Sequence, residues 1–464
     1  MAALAVVASL VSAVVAVAPV LAPPDSARGG ASPVTPVLSL RRAPGFLART
    51  IAEDRLGARV GAAFAGAAPA EASSCLLVAG PGGEPLYDLH AEEPVIPAST
   101  LKLATATAAL ARMGPDATFV TEVRAGGDPA GGVVGDLWLV GGGDPLLATQ
   151  DFAATAGPGA TPRLATPLEA LADAVVATGL RRIQGRVLGD ESRYDTQRYL
   201  PTWSPSYAST PEIGPQSALA VNEGITPPPD PRPSPAPAAN SAAIFARLLG
   251  ERGVAVEGGS GQGPAPPGTG LVASLASPPL AQVLGVMLAN SSNLTAELVT
   301  KELGVRFGAG GTTAAGTEVV REALADLGIP TEAMTLRDGS GLDRGDRLTC
   351  GQLQAILAQA GSDGLLTGLL AVAGRDGTLT HRLAGTPAAG RVRAKTGSLD
   401  GVAGLAGYAT GADGLARRFS LVGNGVPSAA AGVALGDAVA LALVAFPDAP
   451  APAALAPLPA ASTP

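Results

Sequence analysis

The sequence predicts an α/β fold whose main body is interrupted by a strand-rich insertion, and three stretches carry that reading. Residues 72–90 hold an apolar run, SSCLLVAG, a Pro-Gly-Gly-Glu turn and a second short strand. Pro97 then leads into a helix, STLKLATATAALARM, which Gly114 ends. Residues 118–147 change character, with VVGDLWLVGGGDPLL alternating around glycines as strands and turns do. Helical patterning returns at 240–252 and 294–304, and two strand-like runs, 391–397 and 402–410, flank SLDG as a hairpin.

Taken in order, residues 1–22 are an uncharged apolar run, long enough to cross a bilayer as a helix. They read as a signal peptide or a membrane anchor, and either exports the remainder. Residues 23–44 form a Pro/Gly/Ser linker. The main body is expected from two distant segments, 45–118 and 275–446, with an inserted region at 119–274. Within the insertion we expect a helix at 167–179 and a strand in RIQGRVLGD. Its segment 226–238, TPPPDPRPSPAPA, is expected to be a linker or surface loop. The helix at 294–304 is expected to stop at Gly304, and the Ala/Pro-rich residues 447–464 form a disordered tail. No internal repeat is present.

Composition removes several function classes. The 61 glycines and 42 prolines are unperiodic and sit beside 47% hydrophobic residues, which excludes collagen and wholesale disorder. A formal charge of −8 argues against nucleic acid as a partner. Two histidines and two cysteines are too few for zinc fingers or a disulfide framework. His90 and His381 lack metal spacing and read as surface or structural residues. Cys75 reads as a small buried hydrophobe, and two free thiols, Cys75 and Cys350, are the expectation.

The chain has three lysines against 28 arginines. A guanidinium stays protonated in a protein, whereas a buried amine can serve as a base, so the retained lysines mark sites to inspect. Lys102 follows Ser99 by three residues, which puts hydroxyl and amine on one helix face. A desolvated lysine can take the serine proton and make a nucleophile without histidine. Lys395 lies in Ala-Lys-Thr-Gly-Ser, where Lys395 and Thr396 can hold a carboxylate and Gly397 lets a substrate backbone lie close. Ser291-Ser292-Asn293 sits between an apolar segment and a helix, where Ser and Asn also serve as ordinary caps.

SxxK, SxN and KTG in this order are the signature of penicillin-interacting serine enzymes. The separation of 192 positions from Ser99 to Ser291 narrows the likeness. With Gly-Gly-Gly-Asp-Pro at 141–145, Ala-Leu-Ala-Val-Asn at 218–222, Asp-Gly-Ser-Gly-Leu at 338–342 and Gly-Thr-Leu at 377–379, the chain resembles the class C low-molecular-mass penicillin-binding proteins. That is the D-alanyl-D-alanine carboxypeptidase/endopeptidase family, and the likeness runs from about residue 45 to 446. It departs at Ser292, where the family often has Asp, and after Asn222, where the Pro-rich segment stands.

The resemblance implies a transpeptidase/β-lactamase-like domain and a serine DD-carboxypeptidase, with endopeptidase cleavage as a second activity. It makes Ser99 the acylated nucleophile, Lys102 its base and Ser291 a proton relay to the leaving amine. Asn293 would bind the substrate amide and Lys395 with Thr396 would hold the terminal carboxylate, with Gly397 and Ser398 counted beside them as substrate-binding. The backbone N–H groups of Ser99 and Ser398 would form the oxyanion hole. No metal or cofactor is expected. The implied partners are peptidoglycan stem peptides and β-lactams as covalent inhibitors, with membrane association through residues 1–22 if the run is retained. Two rivals stand beside this reading: a β-lactamase or esterase on the same machinery, and a non-hydrolytic wall-binding or β-lactam-sensing module.

Overall fold

The computed structural model describes residues 43–154, 163–210, 212–226 and 231–456, of which Arg49–Ala449 form one compact unit. The apolar run 1–22, the linker up to residue 42, residues 227–230 of the Pro-rich segment and the tail from 457 lie outside the described residues.

The described residues open on a long helix, α1 (Ala43–Ala67), which has no counterpart in the sequence reading. Strands β1 (Cys75–Ala79) and β2 (Pro85–Leu89) follow, then α2 (Lys102–Met113). Residues 120–276 supply β3 (Val120–Ala125), β4 (Leu137–Val140), α3 (Leu168–Ala177), β5 (Val187–Asp190), α4 (Pro237–Glu251), β6 (Ser260–Gln262) and β7 (Gly270–Ala276). Helices α5 (Leu280–Asn290), α6 (Asn293–Phe307), α7 (Thr313–Asp326) and α8 (Cys350–Ala360) come next. The chain closes with β8 (Ala371–Val372), β9 (Val392–Leu399), β10 (Val402–Thr410), β11 (Ala416–Asn424) and α9 (Ala429–Ala445).

Among the described residues two main sheets form. One is six-stranded, in the order β8-β9-β10-β11-β1-β2, and antiparallel throughout. Its strands alternate as a sheet buried on both faces must. Leu76, Val78, Leu405, Phe419 and Leu421 pack against Leu56 and Val60 of α1 and Leu435, Val439 and Leu443 of α9. Cys75, Ala406, Tyr408 and Val422 face the opposite layer, built from α2 and α5 to α8. The other sheet, β6-β5-β4-β3-β7, carries α3 and α4 over Val123, Leu137, Leu139 and Val187. The predicted hairpin is β9–β10, paired from Val392↔Ala409 to Leu399↔Val402.

Four expectations are corrected. Cys75 and Cys350 are a disulfide, not two free thiols, with 5.9 Å between their Cα atoms. Alternation on β1 turns Cys75 toward α8, whose first residue is Cys350; a sequence separation of 275 hides that meeting. The Pro-rich segment stops short, because Pro237 takes the first position of α4, where a missing N–H costs nothing. Gly304 does not end its helix, which runs on to Phe307. It is a packing glycine: a Cβ there would stand 2.4 Å from the Gly310 carbonyl oxygen. The tail is ordered past 447, since Asp448 pairs with Arg55 at 3.1 Å and with Arg59.

Candidate active site

The helix expected from Ser99 begins three residues later. Ala98–Leu101 is a 3-10 turn and α2 starts at Lys102. With three residues per turn, side chains at i and i+3 eclipse, and Lys102 Nζ donates to Ser99 Oγ at 2.8 Å. Ala98 holds a φ of 46°, a left-handed conformation that costs a non-glycine residue on the order of 1–3 kcal/mol. Close packing keeps it there: a Cβ on Gly341 would lie 2.0 Å from the Ala98 carbonyl oxygen. Ser291, between α5 and α6, is held in the same region at φ 60°.

Lys102 is wholly buried and makes two further bonds, to Asn293 Oδ1 at 2.6 Å and to the Ser340 carbonyl at 2.7 Å. Burial lowers its amine to about 7, against the opposing pull of Asp338, Glu297 and Asp346. A substantial neutral fraction therefore exists near neutral pH, aimed at the Ser99 hydroxyl. Asp338 is itself saturated, accepting from the backbone of Ser340, Gly341 and Asp343 and from Trp203 Nε1. Glu297, one helical turn below Asn293, accepts from Gly339 N at 3.0 Å. Burial and then the Asp338 charge push its carboxyl up to about 8.

The middle motif divides its labour. Ser292 is an ordinary cap, accepting from Thr295 N at the start of α6. Ser291 and Asn293 on either side of it reach the other two motifs. Ser291 Oγ accepts from Lys395 Nζ at 2.9 Å, and Asn293 Nδ2 donates to the Glu212 carbonyl at 2.7 Å. Lys395 is buried, also bonds the Thr396 carbonyl at 2.8 Å, and is pushed well below its usual range by burial and then by Lys102. Thr396 Oγ1 donates to Thr378 Oγ1 at 2.9 Å.

Ser99, Ser291, Asn293, Thr396 and Ser398 line one cavity of about 860 Å³, with both lysines buried behind it. Phe152, Arg163 and Glu223 line it as well. There Arg163 lies 5.5 Å over the Phe152 ring and 3.4 Å from the Glu223 carboxylate. Gly397 does not line this cavity. A Cβ on it would stand 3.0 Å from the Pro97 carbonyl oxygen and one on its cross-strand partner Gly404 would stand 2.8 Å from Thr100 Cγ2. The glycine pair thus seats the Ser99 turn on the hairpin. His90 and His381 are both exposed and take no part in the cavity.

The profile of the D-Ala-D-Ala carboxypeptidase 3 (S13) family matches residues 70–233 and 229–444. The chain belongs to this family. It is a serine peptidase with the penicillin-binding fold. A D-alanyl-D-alanine carboxypeptidase of Actinomadura sp. (strain R39) is 32% identical over 454 residues, covering 80% of each chain. Carboxypeptidase DacB of Mycolicibacterium smegmatis is 31% identical, covering 74% of each. Among solved structures, penicillin binding protein 4 of Haemophilus influenzae superposes with a TM-score of 0.70 at 21% identity, over 83% of this chain and 99% of that one.

Several groups at the site escape a reading by motif. The Ser340 and Glu212 carbonyls are backbone atoms, which any residue type supplies. Trp203 and Thr378 lie outside the three motifs, 135 residues from Asp338 and 18 from Thr396, the partners they bond. The Asp-Gly-Ser-Gly-Leu and Gly-Thr-Leu stretches were the available signals, and neither reveals its role by composition.

Proposed function

We propose that this D-alanyl-D-alanine carboxypeptidase works through an acyl-enzyme on Ser99, trimming the terminal D-alanine from peptidoglycan stem peptides. Lys102, as the neutral amine, takes the Ser99 proton while Oγ attacks the carbonyl of the penultimate D-alanine. The backbone N–H groups of Ser99 and Ser398 hold the oxyanion, a contact worth about 3–4 kcal/mol per donor in related acyl-transfer sites. Ser291 relays to the leaving nitrogen the proton that Lys102 took, so the C–N bond breaks, D-alanine departs and Lys102 is neutral again. Water then cleaves the ester and Ser99 recovers its proton. Asn293 binds the substrate amide, and Lys395 with Thr396 binds the terminal carboxylate. The approach of that carboxylate favours the charged form of Lys395, which burial otherwise disfavours.

The observation that carries this reading is the Lys102 amine, 0% exposed, near neutral in pKa and 2.8 Å from Ser99 Oγ. β-Lactams acylate the same serine in this reading. The breadth of the cavity, from Ser99 to Phe152 and Arg163, supports cleavage of cross-linked peptides as a second activity. The disulfide supports action outside the cytoplasm, where such bonds persist.

Fluorescent penicillin provides the test. Durable labelling of the wild type that Ser99→Ala abolishes is the expected result. Rapid loss of label would indicate a β-lactamase, and no label at all a binding module.

A further inference from the structure

The Gly-Thr-Leu turn has no part in the acylation chemistry set out above, yet it stands against both the second and third motifs. Gly377–Leu379 is a 3-10 turn, and three contacts fix it. Gly377 holds a φ of 52°, and a Cβ there would lie 2.2 Å from the carbonyl oxygen of Ala289, two residues before Ser291. Leu379 is fully buried and its carbonyl accepts from Gly374 N at 2.9 Å. Asp376, just before the turn, accepts from Val372 N at 2.8 Å. A turn pinned this way delivers the Thr378 side chain to one place. That place is 2.9 Å from the Thr396 hydroxyl, on the wall of the cavity that holds Ser99.

We propose that Thr378 is a substrate-binding residue, the second hydroxyl of the terminal-carboxylate site, acting as a pair with Thr396. The argument is one of donors. Two hydroxyls carry two protons and share one hydrogen bond, so one O–H remains for an outside acceptor. Thr396 donates to Thr378, which leaves the Thr378 proton free for the ligand. The two cations at this end are already committed. Lys395 sits buried on Ser291 and the Thr396 carbonyl. Arg382, which lines a smaller cavity of about 190 Å³ together with both threonines, is paired with Asp437 at 2.7 Å. A carboxylate arriving beside Lys395 therefore meets the one free proton, that of the Thr378 hydroxyl, and a charge-assisted bond of that kind is among the stronger ones.

The proposal rests on Ser99 as the acylated residue, with the substrate's terminus lying along β9. Its test compares two substrates differing only at that terminus: an acyl-D-alanyl-D-alanine peptide with a free carboxylate, and its terminal amide. Thr378→Val keeps the shape and removes the hydroxyl. The expected result is a fall of roughly five- to tenfold in kcat/KM for the carboxylate substrate, read mainly in KM, with the amide unchanged. Thr378→Ser, which restores the hydroxyl, should recover most of the difference. Equal losses on both substrates, or no loss on either, would overturn the proposal, as would a Ser variant no better than Val. Fluorescent-penicillin labelling of Ser99→Ala is measured alongside; label on that variant would overturn the acylation reading itself, whatever the Thr378 ratios show.

Discussion

The two sheets contribute to the cavity in different ways. Around the six-stranded sheet the groups that meet there are side chains of short motifs: Ser99 and Lys102 on one turn, Ser291 and Asn293 at one helix start, Lys395 and Thr396 on one strand. The 120–276 part meets the same groups through single, scattered atoms. The Glu212 carbonyl holds Asn293, and the Trp203 indole holds Asp338, whose loop carries the Ser340 carbonyl to Lys102. Behind them lies a buried charge cluster, with Glu302 of α6 accepting from Arg193, Arg306 and Tyr194 and Lys301 paired with Asp195 at 2.5 Å. In the proposed mechanism the first part supplies the reacting groups, while the second holds the helix and the loop that carry them. Substitutions in the first should change the chemical step outright, and substitutions in the second should change it through position.

Lys102→Arg should have the largest effect of all. It keeps a cation and removes the amine that can lose its proton, so acylation should fall by about 10²–10⁴-fold or more. Lys395→Arg, placed to hold charge, should lose less, and mainly on substrates with a free terminal carboxylate. Stopped-flow acylation on one carboxylate and one carboxylate-free substrate compares the two. Near-normal rates for Lys102→Arg would remove the Ser–Lys mechanism.

Removing the disulfide tests the sheet side without touching the cavity. The bond joins β1 to the first turn of α8 across 275 residues of chain, and both sulfurs are buried. The double variant Cys75→Ser, Cys350→Ser should lose about 2–5 kcal/mol of stability, seen as a lower denaturation midpoint. At low temperature penicillin labelling should persist, because no group at Ser99 is altered.

This pairing also marks the limit of what sequence conveys. The three motifs were legible because each places its partners within three residues, so local geometry determines their contact. The hairpin was legible for the same reason, with Asp400-Gly401 as its turn. Cys75 with Cys350, Trp203 with Asp338 and Glu212 with Asn293 depend on tertiary packing across 275, 135 and 81 residues, which no local pattern encodes. The helix α1 was missed because Ala43, Pro44 and Gly45 resemble the linker before them, although proline is well tolerated in a first helical turn.

The pH profile sharpens the assignment of the base. Only neutral Lys102 can accept the Ser99 proton, and its amine sits at about 7. Acylation should therefore rise about tenfold per pH unit below that value and level off above it. The sign is fixed by the neutral base: a rate that fell as pH rose through 7 would require the protonated amine and contradict the mechanism.

The smallest predicted effect comes from the inserted side and decides whether that part positions the base. Trp203 is buried and gives Asp338 one of its four hydrogen bonds; the others come from the backbone of the loop that ends at Asp343. Trp203→Phe removes that indole N–H while keeping an aromatic ring in the cluster with Ile213, Leu294 and Leu342. A lost bond to a charged group costs on the order of 1.5–3 kcal/mol, part of it met by loop relaxation. With one donor fewer, Asp338 exerts a stronger bare charge on Lys102, which favours the protonated amine. The acid limb of acylation should then move to higher pH, while the plateau rate falls by less than about tenfold. A purely structural tryptophan would lower stability and leave the limb where it was. Following the limb in Trp203→Phe by penicillin acylation from pH 5 to 9 separates these outcomes, and an unmoved limb would confine the inserted part to holding the fold.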